Sequence, residues 1–190
     1  MFQIWPFVGL RRAEMQGLCW EDVDFAAAQL HVRHQLREDG SLDTTLKTEK
    51  SLRTVDLTED VVKTLRAWKL ECPPTLQDLV FPTPRGLAQT CKPQFYTIWH
   101  RTCENAGLEG CDPHDMRHTF ATWNLAAGEN PIKVAEALGH EKPSMTLDTY
   151  GHLLSKRAER GPSKLAEWYA SEASESGQFA GTARILPQAV

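Results

Sequence analysis

Two periods of apolar residues run along this chain, and the place where one gives way to the other divides it. The opening stretch, Met1-Phe2-Gln3-Ile4-Trp5-Pro6-Phe7-Val8, is mostly apolar and reads as the stump of a buried segment. From Gly9 to Leu18, Leu10, Ala13, Gly17 and Leu18 fall at helical spacing among Arg11, Arg12 and Glu14, which predicts a short helix, and Trp20 to Phe25 reads as the turn leaving it. Gln29 to Gln35, Thr44 to Lys47 and Leu52 to Leu57 show β-branched residues or two-residue alternation, separated by polar breaks. They predict a small three-stranded antiparallel sheet.

Past Thr58 the period lengthens. Val61, Leu65 and Trp68 mark one helix, and Phe95, Ile98, Thr102 and Ala106 a second, with proline- and glycine-rich loops at Cys72-Pro73-Pro74 and Phe81 to Gly86 between them. Asp112-Pro113 offers a cap and a first-turn proline to a third helix, whose expected buried stripe is Met116, Phe120, Trp123 and Ala127 and whose stop is Gly128. Asn130-Pro131 starts a fourth helix and Gly139 ends it. A short helix then carries Met145, Leu147 and Tyr150, and Ser155 to Ala170 fits a last one through Leu165 and Trp168. The expected class is therefore α+β, mainly helical with a small antiparallel sheet, with one domain over residues 1–170 and a disordered polar tail over 171–190.

Composition narrows the partners. With 41% hydrophobic and 24% charged residues, the 190-residue chain can bury one full core. Its net charge of −4 gives no overall basic signature, so a nucleic-acid partner must be met by local clusters of Arg, Lys and His. Five cysteines, an odd count without tight pairing, and no signal-like leader point to a reducing cytoplasm. No apolar run approaches the ~20 residues that cross a bilayer, so no membrane partner is expected.

Candidate chemistry gathers late in the chain. His114 and Arg117, three apart at the start of a helix, share one face, where free backbone N–H groups, the positive end of the helix dipole and a guanidinium fork all favour a phosphate. A His-x-x-Arg pair alone is weak evidence. His118 shares that face too, and Cys103 and Cys111 raise a zinc reading; the Cys-x7-Cys-x2-His-x3-His spacing does not match the short knuckles of common zinc sites, and no metal is expected.

The wider context is more specific. His114-Asp115-Met116-Arg117-His118-Thr119-Phe120-Ala121-Thr122 is followed by Leu138-Gly139-His140 and by Thr149-Tyr150-Gly151-His152; earlier stand Gly9-Leu10-Arg11-Arg12-Ala13-Glu14, Trp20-Glu21-Asp22-Val23-Asp24 and Lys47-Thr48-Glu49-Lys50-Ser51-Leu52-Arg53. In order and separation these resemble the catalytic domain of the tyrosine recombinase (phage integrase) family. The resemblance implies the DNA breaking-rejoining enzyme fold and a site-specific recombinase working through a 3′-phosphotyrosine intermediate. It implies Arg11, Lys47, His114, Arg117, His140 and Tyr150 as the catalytic set, with Glu14 supporting Arg11.

These residue types suit the chemistry. Two fixed guanidiniums, Arg11 and Arg117, can stabilise charge spread over the phosphate oxygens without a metal ion. A tyrosine with an ordinary pKa near ~10 needs a proton acceptor, for which His114 is the expected helper. Lys47 would protonate the leaving 5′ oxygen, and His140 would bond a non-bridging oxygen. The phosphotyrosine ester conserves bond energy, so no ATP and no cofactor is expected.

Double-stranded DNA is the implied partner, with assembly on it into a dimer and then a tetramer. The family normally carries a DNA-clamping domain ahead of this one, whereas Met1 lies ten residues before Arg11, and Val8 stands where a threonine is common. A half-clamp of net charge −4 is expected to bind DNA weakly. Two other readings stay open: an inactive DNA-binding remnant of an integrase, and a type IB topoisomerase-like enzyme. The Leu-Gly-His and Thr-Tyr-Gly-His contexts favour the recombinase.

Overall fold

The computed structural model describes residues 1–43, 52–89, 92–108 and 110–158. The chain divides into two compact units, Met1–Leu153, which holds every element below except the end of the last helix, and Leu154–Val190. The expected α+β class is what forms.

Helix α1 (Trp5–Val8) starts with a first-turn proline and is closed by Gly9, whose φ of 62° is left-handed. Trp5 is buried and donates its indole N–H to Leu10 O at 2.7 Å, which folds the chain back toward α2 (Arg12–Gln16). The helix expected over Gly9 to Leu18 is therefore shorter at both ends, because Gly9 belongs to the stop of α1 and Arg11 is the N-cap of α2.

After a 3₁₀ turn at Trp20–Asp22 come β1 (Val23–Asp24), β2 (Gln29–Val32), β3 (Gln35–Leu36), β4 (Leu42–Asp43) and β5 (Arg53–Asp56). The three-stranded antiparallel sheet runs β1-β2-β5, and β3 and β4 form a separate hairpin. Its third strand is β1, where the sequence reads as a turn; two residues are too few to show alternation. The turn lies just beyond, where the Asp24 carboxylate accepts the N–H groups of Ala26 and Ala27. Thr44 to Lys47, expected as a strand, lies outside the described residues. The predicted run Gln29 to Gln35 is broken at Arg33 and His34, because both side chains reach back to the buried Asp22 carboxylate, at 2.7 and 2.8 Å.

Helix α3 (Glu59–Glu71) is capped by the Thr58 hydroxyl and buries Val61 and Leu65. Helix α4 (Lys92–Asn105) buries Phe95, Trp99 and Cys103, at four-residue steps. Ile98, expected in that stripe, is 48% exposed, because the rings of Phe2 and Trp5 pack edge-on against Phe95 and Trp99 and so set which face turns inward. Such aromatic pairs contribute ~0.5–1.5 kcal/mol each beyond their buried area.

Helices α5 (Asp115–Ala127), α6 (Pro131–Leu138) and α7 (Ser144–Ala158) complete the described chain. α5 packs on α1 and α6, and α6 on β5. Gly128 and Gly139 stop α5 and α6 in left-handed conformations, and the Asn130 side chain caps α6, all as the sequence predicts. The buried face of α5 differs: Arg117, Phe120, Ala121 and Leu125 point inward, while Trp123 is 50% exposed against the Phe7 ring and Ala127 is exposed. A cation, Arg117, occupies the centre of the stripe, which an apolar count passes over. No described helix is long and apolar enough to cross a membrane.

Candidate active site

The site is built around one buried carboxylate. Glu14, 3% exposed, lies in the first turn of α2, where it accepts the backbone N–H of Arg11 at 2.7 Å and the Arg11 guanidinium at 2.9 Å. From the opposite side Arg53, the first residue of β5, grips it with two nitrogens, at 3.1 and 2.7 Å. Burial alone would raise the Glu14 pKa, but the two arginines and the backbone bond outweigh it and hold the carboxyl down at about 2. The same Arg53 donates Nε–H to Ala137 O at 2.6 Å, tying the sheet to the end of α6.

Arg117, 4% exposed, enters from α5 and donates to the carbonyls of Gly9, at 2.8 Å, and Leu138. Arg11 donates to Gly139 O at 3.0 Å. The carbonyls that α1 and α6 leave at their C-terminal ends thus clamp the guanidiniums. Burial first, and then the charges of Arg11 and Arg53, pull Arg117 down to about 9, so it stays cationic at neutral pH. Three guanidiniums around one carboxylate leave an excess of positive charge poised for an anion.

His114, not the expected Asp112, is the N-cap of α5: the Asp112 carboxylate accepts the His114 N–H at 2.8 Å, and the Asp112 N–H donates to the Asp115 carboxylate at 2.7 Å. It is exposed and, with Arg11 and Arg117, lines a cleft of about 190 Å³. His114 and Arg117 also line an adjoining cleft of about 370 Å³ with His118, His140 and Tyr150. Burial, together with His118 and Arg117, lowers the His114 pKa.

His140 follows the Gly139 stop, and its Nδ1 bonds the buried Thr146 hydroxyl at 2.8 Å, which fixes the ring plane. Burial and the charges of Arg117, Arg11 and Arg53 push His140 down to about 4, so it is neutral at pH 7. Tyr150, 7% exposed on α7, has its pKa raised by burial against an opposing pull from Arg117. Its hydroxyl is hydrogen-bonded to Nδ1 of His118, not to His114, because His118 lies one helical turn deeper into α5.

Of the residues singled out in the sequence, Arg11, Glu14, His114, Arg117, His140 and Tyr150 come together, though they span residues 11 to 150. Lys47 lies outside the described residues. Sequence reasoning passed over two others. Arg53 shares a strand face with the buried Val55, so its inward direction was readable from the alternation of β5. His118 stands four residues after His114, on the same helical face.

Comparison with known proteins matches residues 1–157 to the phage integrase family. The chain is 30% identical to the prophage integrase IntR of Escherichia coli, over 78% of this chain and 42% of that protein. It is 29% identical to the ICEBs1 integrase of Bacillus subtilis, over 83% of this chain and 45% of that one. It thus spans under half the length of these relatives. Among solved structures, the Tn1549 transposon integrase in complex with transposon right end DNA is 28% identical with a TM-score of 0.66, covering 83% of this chain and 56% of that one. The XerA recombinase shares the fold, with a TM-score of 0.64, over 89% of this chain and 55% of that one. Fold, order of elements and sequence agree: the chain belongs to the phage integrase family, the tyrosine recombinases.

Proposed function

We propose that this chain is the catalytic part of a site-specific DNA recombinase that cuts and rejoins strands through a 3′-phosphotyrosine bond on Tyr150. One observation carries the reading: a tyrosine hydroxyl opens on a cleft shared with Arg117 and His140, next to Arg11 and Arg53, whose guanidiniums hold the buried Glu14 carboxylate. A phosphodiester seated there would meet the Arg11 and Arg117 guanidiniums as its oxygens gain charge. With Nδ1 engaged by Thr146, His140 has Nε2 to offer to a non-bridging oxygen, and His114 faces the same phosphate from the rim.

Tyr150 Oη attacks phosphorus, the bond from phosphorus to the 5′ oxygen breaks, and the departing oxygen takes a proton. Lys47 is assigned that proton transfer on its place in the sequence motif. A free 5′ hydroxyl later attacks the phosphotyrosine and rejoins the strand, so neither ATP nor a cofactor enters. Double-stranded DNA is the substrate, since the Tn1549 integrase is solved with transposon DNA, and assembly on it as a dimer and then a tetramer follows the sequence resemblance.

The test uses nicked duplexes randomised around the nick, from which covalently trapped DNA is recovered and amplified, so that no target sequence need be known. A denaturation-resistant adduct is expected from wild type, unaffected by EDTA, and none from Tyr150→Phe. An adduct that survives in Tyr150→Phe, or none from wild type after repeated selection, overturns the reading. The latter result would favour a DNA-binding remnant.

A further inference from the structure

We propose that His118 is a catalytic residue: its Nδ1 takes the proton from the Tyr150 hydroxyl as that oxygen attacks phosphorus. The inference rests on the function proposed above and adds the proton acceptor that function leaves unfilled. Tyr150 is 7% exposed, and among the described residues His118 is the side chain bonded to its hydroxyl.

The other groups around the hydroxyl are less suited. Arg117 offers only donors, and both its terminal nitrogens already bond carbonyls. His140 spends Nδ1 on the Thr146 hydroxyl, at 2.8 Å. His114 sits on the exposed rim, with its ring edge-on to His118 at 4.7 Å between centroids, and touches His118 rather than the tyrosine. Asp148 lines the cleft from the tyrosine's own helix, without a bond to the hydroxyl.

The arrangement also supplies rigidity. His118 stands in the second turn of α5, one residue after Arg117, which is fixed at both nitrogens by the ends of α1 and α6. Base and phosphate-binding arginine thus share one helix segment, and the tyrosine on α7 is seated against it. With the ring proton on Nε2, the phenol O–H donates to Nδ1 in the resting state. In the reaction that proton passes to Nδ1, the Oη–phosphorus bond forms and the bond to the 5′ oxygen breaks. The leaving oxygen is protonated by the general acid assigned above. On rejoining, the imidazolium returns its proton to the tyrosine as the 5′ hydroxyl attacks, so protons and electron pairs balance over the cycle.

The burial that raises the Tyr150 pKa makes an acceptor necessary near neutral pH, because little phenolate forms unaided. The groups that could shape the pH response of this pair are His114 and Arg117 on α5, His140 after α6, and Asp148 on α7.

The experiment measures the single-turnover rate of adduct formation on the selected nicked duplex, between pH 7 and 8.5, below the point where Arg117 titrates at about 9. It compares wild type, His118→Asn, His118→Ala and Tyr150→Phe, each checked for an unchanged melting temperature. Asn places an oxygen near the Nδ1 position, so it can accept the hydroxyl's bond while lacking basicity; it guards against loss through misfolding. Both His118 variants are expected to react ~10²-fold or more slowly at pH 7. Their rates should climb roughly tenfold per pH unit, since the phenol must ionise first, while wild type changes little.

Variants that match the wild-type rate and pH profile overturn the proposal, as do faster variants, which would make the bond a resting latch. So does a His118→Asn that recovers full activity, which would reduce His118 to positioning. If wild type forms no adduct at all, the function proposed above fails, and this assignment falls with it; that result is distinct from an adduct indifferent to His118.

Discussion

Glu14 concentrates more of the site's geometry than any residue that would touch DNA. Its two oxygens fix Arg11 and Arg53, and Arg53 in turn holds the end of α6. Glu14→Gln removes the buried carboxylate that the 5%-exposed Arg53 grips with two nitrogens. A loss of ~3–5 kcal/mol in urea denaturation is expected, as for other buried pairs broken on one side. The two pKa values depressed within the acid range give stability the same sign of pH dependence. His140 stands at about 4 in the fold against 6.5 ordinarily, and Glu14 at about 2 against 4.5. The unfolded chain therefore binds more protons, and stability falls as pH drops, first from 6.5 toward 4 and then from 4.5 toward 2. His140→Gln should flatten the upper part of a melting-temperature profile, and a wild-type profile already flat there would refute the shift. Arg11, Glu14, Arg117 and Tyr150 were legible at this scale because the motifs name them. Arg53 was legible only as a direction, through its alternation with Val55, since the carboxylate it pairs with lies 39 residues away in sequence.

Helix ends are the elements that aim the site. Gly9 and Gly139 stop α1 and α6 at φ of 62° and 66°, and their carbonyls accept from Arg117 and Arg11. A Cβ on Gly139 would stand 3.0 Å from Nη1 of Arg53, and the left-handed backbone adds its own strain. Gly139→Ala is expected to cost at least ~1 kcal/mol in thermal or urea denaturation, from the backbone alone. It should also slow adduct formation, because Arg53 and Arg11 must shift together; wild-type stability and rate would contradict that coupling. The stops were readable from glycine placement. The buried faces were less so: on α5 a cation replaces the expected apolar residue, and on α4 the partner rings of Phe2 and Trp5, distant in sequence, select the inward face. β1 escaped notice because it exists only by pairing with β2.

Over the whole chain, the net charge of −4 conceals how charge is distributed. Arg11, Arg53 and Arg117 crowd one site with Glu14, while acidic residues elsewhere set the total. If the cluster receives a phosphate, binding to nicked duplex should weaken with salt, with a logarithmic slope of about 0.9 for each contact. Arg11→Ala, whose parent side chain is 45% exposed, should lower that slope by about 0.9 with little loss of folding stability. An unchanged slope would place the phosphate elsewhere. Composition could not reveal this, since it weighs every charge equally, but the order of motifs from Gly9 to His152 already anticipated the family and the α+β class.

The central claim is that Tyr150 itself becomes joined to DNA. The most direct measurement digests the trapped adduct with nuclease and trypsin and maps the modified peptide by mass spectrometry. Trypsin spares the Lys142–Pro143 bond, so the relevant peptide runs from Val134 to Lys156 and contains one tyrosine. The expected result is a nucleotide linked through its 3′ phosphate to Tyr150. A nucleotide on Tyr96 or Tyr169, on a serine or cysteine, or linked through a 5′ phosphate would contradict it.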